Sequence, residues 1–178
     1  MWFNLLVSFI FLFFFRGWGK LAAVISVATI ITFLVVPVSV MVLRRTAPNL
    51  HRPLRIKGLP LLAPIAFVLA TLMFYWARWP YTGEIMLLLI LPLPVYLYYQ
   101  AKVQWRDFGR QLRAAWWMIA YLLALTGLSW AGSSEFGGHN LLGYGWDQLC
   151  VAIASLAFYF WGLRSGWRTT ELEALKSG

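Results

Sequence analysis

The stretch LAAVISVATIITFLVVPVSVMVL, residues 21–43, is followed directly by RRTAPNLHRPLRIK, residues 44–57. The first part is apolar or weakly polar throughout, and a helix needs about 20 such residues to cross roughly 30 Å of hydrocarbon. The second part is basic and contains prolines, so it cannot continue that helix through a membrane. The pair predicts a transmembrane helix that ends in a polar loop.

The composition of the whole chain agrees with this reading. It is 61% hydrophobic, 18% aromatic and only 12% charged, whereas a soluble domain is about half apolar and a quarter charged. Hydrocarbon offers no water to satisfy a backbone hydrogen bond, so a segment that crosses it alone must be helical. We therefore expect an all-α integral membrane protein with about six transmembrane helices.

Apolar runs and helix-breaking residues locate six candidate spans. The candidates are residues 1–15, 21–43, 59–77, 81–101, 114–131 and 149–163. The first is short and begins abruptly at Met1. It does not resemble a signal peptide, because Arg16 and Lys20 follow its apolar core instead of preceding it.

The positions of Lys and Arg predict the orientation, because short loops rich in them stay in the cytoplasm. Twelve of the fifteen fall in three segments, residues 44–57, 102–113 and 164–176. The other three are Arg16, Lys20 and Arg78. The long loop on the opposite side, residues 132–148, has Glu135 and Asp147 but no Lys or Arg. Both termini are therefore predicted to be cytoplasmic.

These spans divide the chain into four parts. Residues 1–101 form a first set of helices, and residues 102–113 form a cytoplasmic linker. In this linker Trp105, Phe108 and Leu112 recur at the spacing of an interfacial amphipathic helix. Residues 114–164 hold two further spans, and residues 165–178 are a cytoplasmic tail. The Gly- and Ser-rich segment 132–145 is expected to be a mobile external hairpin.

The second span carries two features that affect its packing. Pro37 lies well inside it and predicts a kink, because proline frees the carbonyl four residues earlier. Ala22, Ser26 and Thr29 share one face, a small-residue stripe that lets another helix approach closely. This span is either a flexible gating arm or a packed, kinked helix.

Motifs for catalysis or cofactor binding are absent from the sequence. His51 and His139 lie in loops on opposite sides, and neither has the spacing of a metal ligand. We predict no enzyme activity, no catalytic residue, no metal site and no cofactor. The net charge of +9 is attributed to span ends near anionic lipid instead of nucleic-acid binding. Cys150 is the only cysteine, so no disulfide forms within the chain.

Ionisable residues are also missing from the interiors of the predicted spans. Ion-coupled carriers usually keep at least one such residue there. Glu84 stands at the outer end of the fourth span, where it is either an interfacial glutamate or part of an outer gate. The chain by itself offers no obvious proton site.

The loop and its flanking helices resemble a region of the amino acid permeases of the amino acid, polyamine and organocation superfamily, in particular bacterial aspartate:proton symporters. In that family a helix with a Pro-x-Ser element ends in two arginines, followed by a proline, an Arg-Pro-x-Arg element and a second helix. The corresponding residues here are Pro37, Ser39, Arg44, Arg45, Pro48, Arg52, Pro53 and Arg55. The resemblance covers roughly residues 4–100.

The resemblance implies a partial LeuT-like fold in the inner membrane, with spans one to four similar to permease helices nine to twelve. Family members bind substrate on broken first and sixth helices, which have no counterpart here, so the substrate-binding residues are unknown. The chain would then be the C-terminal part of a truncated permease. The expected partners are the lipid bilayer, the missing N-terminal part and, in the complete protein, an amino acid and a proton. The alternative is a self-standing six-helix assembly subunit without carrier activity.

The predicted orientation can be tested by cysteine labelling. In a Cys150→Ser background, Ser134→Cys should react with a membrane-impermeant maleimide in intact cells, because the charge distribution places it outside. Asn49→Cys should react only after the cells are opened. The reverse pattern would contradict the orientation.

Overall fold

A computed structural model describes residues 17–48, 56–90, 93–102 and 108–166, with four isolated positions nearer the N-terminus. Within these ranges the chain is helical and contains no strand. The helices are α1 (Trp18–Thr46), α2 (Leu59–Tyr75), α3 (Tyr81–Ile90), α4 (Leu93–Lys102), α5 (Phe108–Ala131) and α6 (Trp146–Ser165), with a 3₁₀ turn at Ser134–Phe136. The predicted all-α class is confirmed.

Three helices are long and apolar enough to cross a membrane. These segments are Leu21–Thr46 in α1, Phe108–Ala131 and Trp146–Ser165. They coincide with the second, fifth and sixth predicted spans. The chain is a membrane protein, although only these three spans are supported by length and composition.

The third and fourth predicted spans are not among these three. Helix α2 has 17 residues, which at 1.5 Å per residue gives about 25 Å, short of the hydrocarbon thickness. The fourth span is described as two helices of 10 residues each, and residues 91 and 92 between them lie outside the described ranges. The first span also lies almost wholly outside them. The count of six therefore stays a prediction.

The linker is helical where it is described. Helix α5 already begins at Phe108, so residues 108–113 continue directly into the fifth span. Arg110, Gln111, Leu112 and Arg113 all have good helix propensity, and Gly109 alone does not break the helix. Residues 103–107 lie outside the described ranges.

The buried core lies where α1, α2, α5 and α6 meet. Leu34 of α1, Phe67 of α2 and Tyr159 of α6 are each at most 1% exposed. The Phe67 ring lies 5.2 Å from the Tyr121 ring and 5.6 Å from the Tyr159 ring, measured between centroids. These aromatic contacts join α2 to both α5 and α6.

The outward faces of the helices are apolar. Phe33, Leu69, Leu123 and Ile153 are each more than half exposed, as expected where lipid and not water is the surrounding solvent. The small-residue stripe of α1 is exposed too. Ser26 and Thr29 donate hydrogen bonds to carbonyls of their own helix, at 2.9 and 2.8 Å.

Glycine permits a close helix contact in the core. A Cβ atom at Gly162 of α6 would lie 3.0 Å from Val38 Cγ1 and 3.1 Å from the Trp117 ring. In contrast, a Cβ atom at Gly127 of α5 would meet nothing within 4 Å. The absence of a side chain at 162 therefore lets α6 pack against α1 and α5.

These two glycines form a matched pair for testing the packing. Gly162→Leu should lower the free energy of unfolding by about 2–3 kcal/mol, because it overpacks a closed contact. Gly127→Leu should change it by less than about 1 kcal/mol, since its side chain points into open space. Thermal unfolding of the purified protein in detergent measures both. Equal loss of stability in the two variants would contradict this packing.

Candidate functional site

Asp147 is a carboxylate at the N-terminus of α6 with no exposed surface. One of its oxygens accepts hydrogen bonds from the Tyr75 hydroxyl at 2.7 Å and from the Ser133 backbone N–H at 3.3 Å. The other carboxylate oxygen accepts hydrogen bonds from the backbone N–H groups of Gly145, at 3.0 Å, and Gln148, at 2.7 Å. A buried carboxylate is costly unless donors surround it, and the first N–H groups of a helix favour an anion.

Tyr75 is the last residue of α2, and its side chain is fully buried. It reaches Asp147 because residue 132 is glycine: a Cβ atom there would lie 2.1 Å from the Tyr75 hydroxyl oxygen. The hydrogen bond therefore joins the end of α2 to the start of α6. We call Tyr75, Asp147, Gly132 and Ser133 the Asp147 cluster.

The segment 132–145 is folded over the Asp147 cluster, whereas the sequence predicted a mobile hairpin. The Trp79 N–H donates to the Phe136 carbonyl at 2.9 Å, and the Asn140 N–H donates to the Gly132 carbonyl at 2.8 Å. Gly137 has a φ of +78°, and a Cβ there would lie 2.4 Å from the Trp79 carbonyl oxygen. Glycine in this segment therefore allows close packing as well as a positive φ angle.

Two further pairs of buried hydroxyl groups join neighbouring helices. Thr82 of α3 and Ser129 of α5 lie 3.0 Å apart at their hydroxyl oxygens. Thr71 of α2 and Tyr121 of α5 form the second pair, nearer the middle of the bundle. Buried polar groups that are paired in this way cost little free energy, so both contacts suit a membrane interior.

Three buried polar atoms have no hydrogen-bond partner within the described part of the chain. They are Glu84 Oε2, Ser133 Oγ and the Tyr159 hydroxyl. Such groups usually bind water, an ion or another segment. Ser133 belongs to the Asp147 cluster, and Glu84 lies in the first turn of α3.

Several arginines lie at the opposite end of the bundle from the Asp147 cluster. Arg44 and Arg45 occupy the last turn of α1, and Arg44 Nη1 donates to the Ile56 carbonyl at 3.4 Å. Arg110, Arg113 and Ser165 line one groove there. The described arginines of α1, α5 and α6 therefore lie at one end of the fold.

The remaining predicted loop residues are only partly described. Pro48 follows the end of α1, whereas Arg52, Pro53 and Arg55 lie outside the described ranges. Pro37 lies inside α1, which runs without interruption from Trp18 to Thr46. A kink at Pro37 stays a prediction, as does the role of the loop in setting topology.

Sequence reasoning missed the Asp147 cluster. The sequence identifies Asp147 only as a charge in an external loop and does not single out Tyr75. One local signal was present, because an aspartate in the first turn of a helix satisfies unpaired N–H groups. Nothing in the sequence pairs it with a tyrosine 72 positions earlier.

The chemistry available in the described ranges is hydrogen bonding. No three His, Cys, Asp or Glu residues there come together as metal ligands. Cys150 is a free thiol and half-buried. The Asp147 cluster can hold helix ends together.

Two known proteins are similar to nearly the whole chain. A glutamate/serine transporter of Bacillus subtilis is 53% identical over 99% of this chain, and an aspartate-proton symporter of the same organism is 30% identical over 93% of it. The chain spans only about a third of the length of each relative. No family model and no solved structure matches.

These relatives confirm the resemblance to amino acid permeases that the loop predicted. Both are transporters and not enzymes, in agreement with the lack of catalytic motifs. A match to a third of each relative is consistent with a C-terminal part of such a permease.

The Asp147 cluster predicts a graded loss of stability on mutation. Asp147→Ala should lower the free energy of unfolding by about 3 kcal/mol, because it leaves a buried hydroxyl and buried N–H groups without an acceptor. Tyr75→Phe removes one donor and should cost about 1–2 kcal/mol. Glu135→Ala, an exposed acid in the same segment, is the matched control and should change stability by at most about 0.5 kcal/mol. Thermal unfolding in detergent gives the order of stability of the three variants. An Asp147→Ala variant as stable as Glu135→Ala would contradict the predicted order.

Proposed function

We propose that this chain forms the C-terminal part of an amino acid permease of the amino acid, polyamine and organocation superfamily, whose complete form carries an amino acid across the inner membrane together with a proton. The observation that carries the proposal is the 53% identity to a glutamate/serine transporter over 99% of the chain. Such identity over nearly every helix exceeds what shared hydropathy alone produces.

Both relatives carry α-amino acids with polar or acidic side chains, according to their names. We propose the same substrate class for the complete permease. The proton is proposed from the second relative, an aspartate-proton symporter. Among the described residues, the buried carboxyls are Glu84, with one buried oxygen, and Asp147, and both lie at the end of the bundle opposite the basic loops.

The helices of this chain would then act as a support and not as the substrate site. In the family, the substrate binds at broken first and sixth helices, whose half-helix ends meet its charged groups. The described helices α1, α5 and α6 are continuous over their lengths. We propose that α1, with Pro37 inside it, is the arm that adjusts during alternating access, while α5 and α6 anchor the bundle through the Asp147 cluster.

The proposal includes a partial LeuT-like fold with six spans and both termini in the cytoplasm. The charge distribution supports this placement, because Arg44, Arg45, Arg110, Arg113 and Arg164 gather at one end of the bundle.

A chain exchange tests the proposed function directly. The matching third of the Bacillus subtilis glutamate/serine transporter is replaced by this chain, and uptake of radiolabelled glutamate and serine is measured in cells that lack their own carriers. We expect the chimaera to retain uptake within about tenfold of the parent, which corresponds to a change of about 1.4 kcal/mol. A chimaera that reaches the membrane but transports neither amino acid would contradict the proposal.

The chain alone provides the second arm of this experiment. In proteoliposomes with an imposed proton gradient, it should take up no more aspartate, glutamate or serine than empty vesicles. Uptake by the chain alone would show that it holds a substrate site of its own. A transporting chimaera together with an inactive isolated chain is the expected result, and it also excludes the self-standing subunit.

A further inference from the structure

An apolar groove lies between α1 and α2, at the end of the bundle that the charge distribution places outside. Its volume is about 290 Å³, and it is lined by α1 between Ala23 and Ile30 and by residues 73–77 at the end of α2. Met73 and Trp76 are 55% and 47% exposed along its edge. We call this surface the outer groove.

The shape and polarity of the outer groove suit hydrocarbon. Ala23, Val27 and Ile30 line it at the spacing of one helix face, and α1 rises about 10 Å between the first and the last of them. The groove therefore runs lengthwise along the helices, as an acyl chain does in a bilayer. Its one hydroxyl group belongs to Ser26, which donates to the Ala22 carbonyl at 2.9 Å and so needs no other partner.

Arg78 stands next to the outer groove and carries a charge without a counterion. It follows the lining residue Ala77 directly and is exposed. Its guanidinium forms no ion pair with the acids of the described ranges, Glu84, Glu135 and Asp147. The other three acids of the chain belong to the linker and the tail, which the charge distribution assigns to the cytoplasmic side. A free cation beside an apolar groove matches a ligand in which an anionic group is joined to hydrocarbon.

The backbone at Arg78 is also unusual. Its φ angle is +72°, in the left-handed region that glycine normally occupies after the end of a helix. A residue with a Cβ atom is disfavoured there, and such conformations are concentrated at functional sites. Glycine would end α2 with less strain, whereas arginine places a positive charge at this position.

We propose that the outer groove binds a phospholipid of the outer leaflet, with one acyl chain lying between α1 and α2 and Arg78 donating hydrogen bonds to the phosphate oxygens. The planar fork of a guanidinium group matches these oxygens. Trp76 then lies between the phosphate and the hydrocarbon, the depth at which tryptophan is enriched in membranes. A soluble phosphate would leave the groove empty, and a neutral hydrophobic ligand would leave the arginine unpaired.

The partner is a lipid with net negative charge, such as phosphatidylglycerol, because no acid pairs with Arg78 to offset its charge. The inference concerns the surface of this chain and does not depend on the transport activity proposed above. Either proposal can therefore fail alone.

Site-resolved crosslinking tests the proposal on the full chain. The chain is reconstituted in phosphatidylcholine nanodiscs that contain a small fraction of phosphatidylglycerol with a photoactivatable diazirine on one acyl chain, and the crosslinked peptides are mapped by mass spectrometry. Crosslinks should be severalfold more frequent at residues 23–30 and 73–77 than around Ile153 and Phe160 of α6, which are 60% and 55% exposed. Equal labelling of the two surfaces would overturn the proposal.

Two substitutions of Arg78 test the phosphate contact. Arg78→Gln should lower crosslinking of phosphatidylglycerol in the outer groove about fivefold, and crosslinking of a phosphatidylcholine probe should change little. Arg78→Gly should show the same loss but unfold at a temperature no lower than the native chain, because glycine adopts this φ angle without strain. Labelling at the native level in both variants would overturn the proposal.

A control removes one charge from the opposite end of the bundle. Arg45 is exposed in the last turn of α1, and Arg45→Gln should label in the outer groove within about twofold of the native chain. A loss equal to that of Arg78→Gln would overturn the proposal, because the lipid would then be attracted by net charge alone.

Filling the groove tests the acyl chain. Ala23→Phe should remove crosslinks at 23–30 and 73–77 for both lipid probes, whereas Ala22→Phe, at an exposed position that does not line the groove, should leave them within about twofold. Circular dichroism checks the helix content of each variant, and Ser26→Leu replaces Ala23→Phe if that variant does not fold. Unchanged labelling in the filled variant would overturn the proposal. A native chain that is dimeric and excludes both probes from the groove would also overturn it, in favour of a second copy as the occupant.

Discussion

The buried carboxylate of Asp147 is the constraint on which one end of this molecule depends. A charge without exposed surface needs several donors, and the chain supplies them from a tyrosine at the end of α2, a loop residue and the first turn of α6. Satisfying this single group joins three parts of the chain that are far apart in sequence. It also explains why residue 132 is glycine, since a side chain there would occupy the position of the tyrosine hydroxyl.

The opposite end of the bundle is organised by charge and by the membrane. Arginines from α1, α5 and α6 gather there, away from the described acidic residues. This separation stabilises one orientation in a bilayer, because basic residues favour the cytoplasmic leaflet and its anionic lipids. The acidic end is held together by specific hydrogen bonds, whereas the basic end is open, with a groove between α5 and α6.

The resemblance to amino acid permeases depended on residues of a loop that is only partly described, and relatives confirmed it. The structure adds what that loop could not show. Helices α1, α2, α5 and α6 share one core through Phe67, Tyr121 and Tyr159, so the helices after the linker pack against the permease-like helices before it. The core therefore joins the two sets of spans into one unit.

The sequence by itself determined the helical class, the membrane environment and the positions of α1, α5 and α6, because long apolar runs and helix-breaking residues are local properties of a chain. It did not determine that α5 begins at Phe108, since the helix propensity of residues 108–113 fits both a separate interfacial helix and a longer span. It also predicted a mobile hairpin at 132–145, where glycine is used for close contact with Trp79 and Tyr75. Only the tertiary structure decided that Asp147 and Tyr75 are partners, and that Arg110, Arg113 and Ser165 line one groove. The physical reason is that hydropathy and propensity act between neighbours in sequence, whereas a buried charge is satisfied by whichever donors the packed helices bring within hydrogen-bond distance.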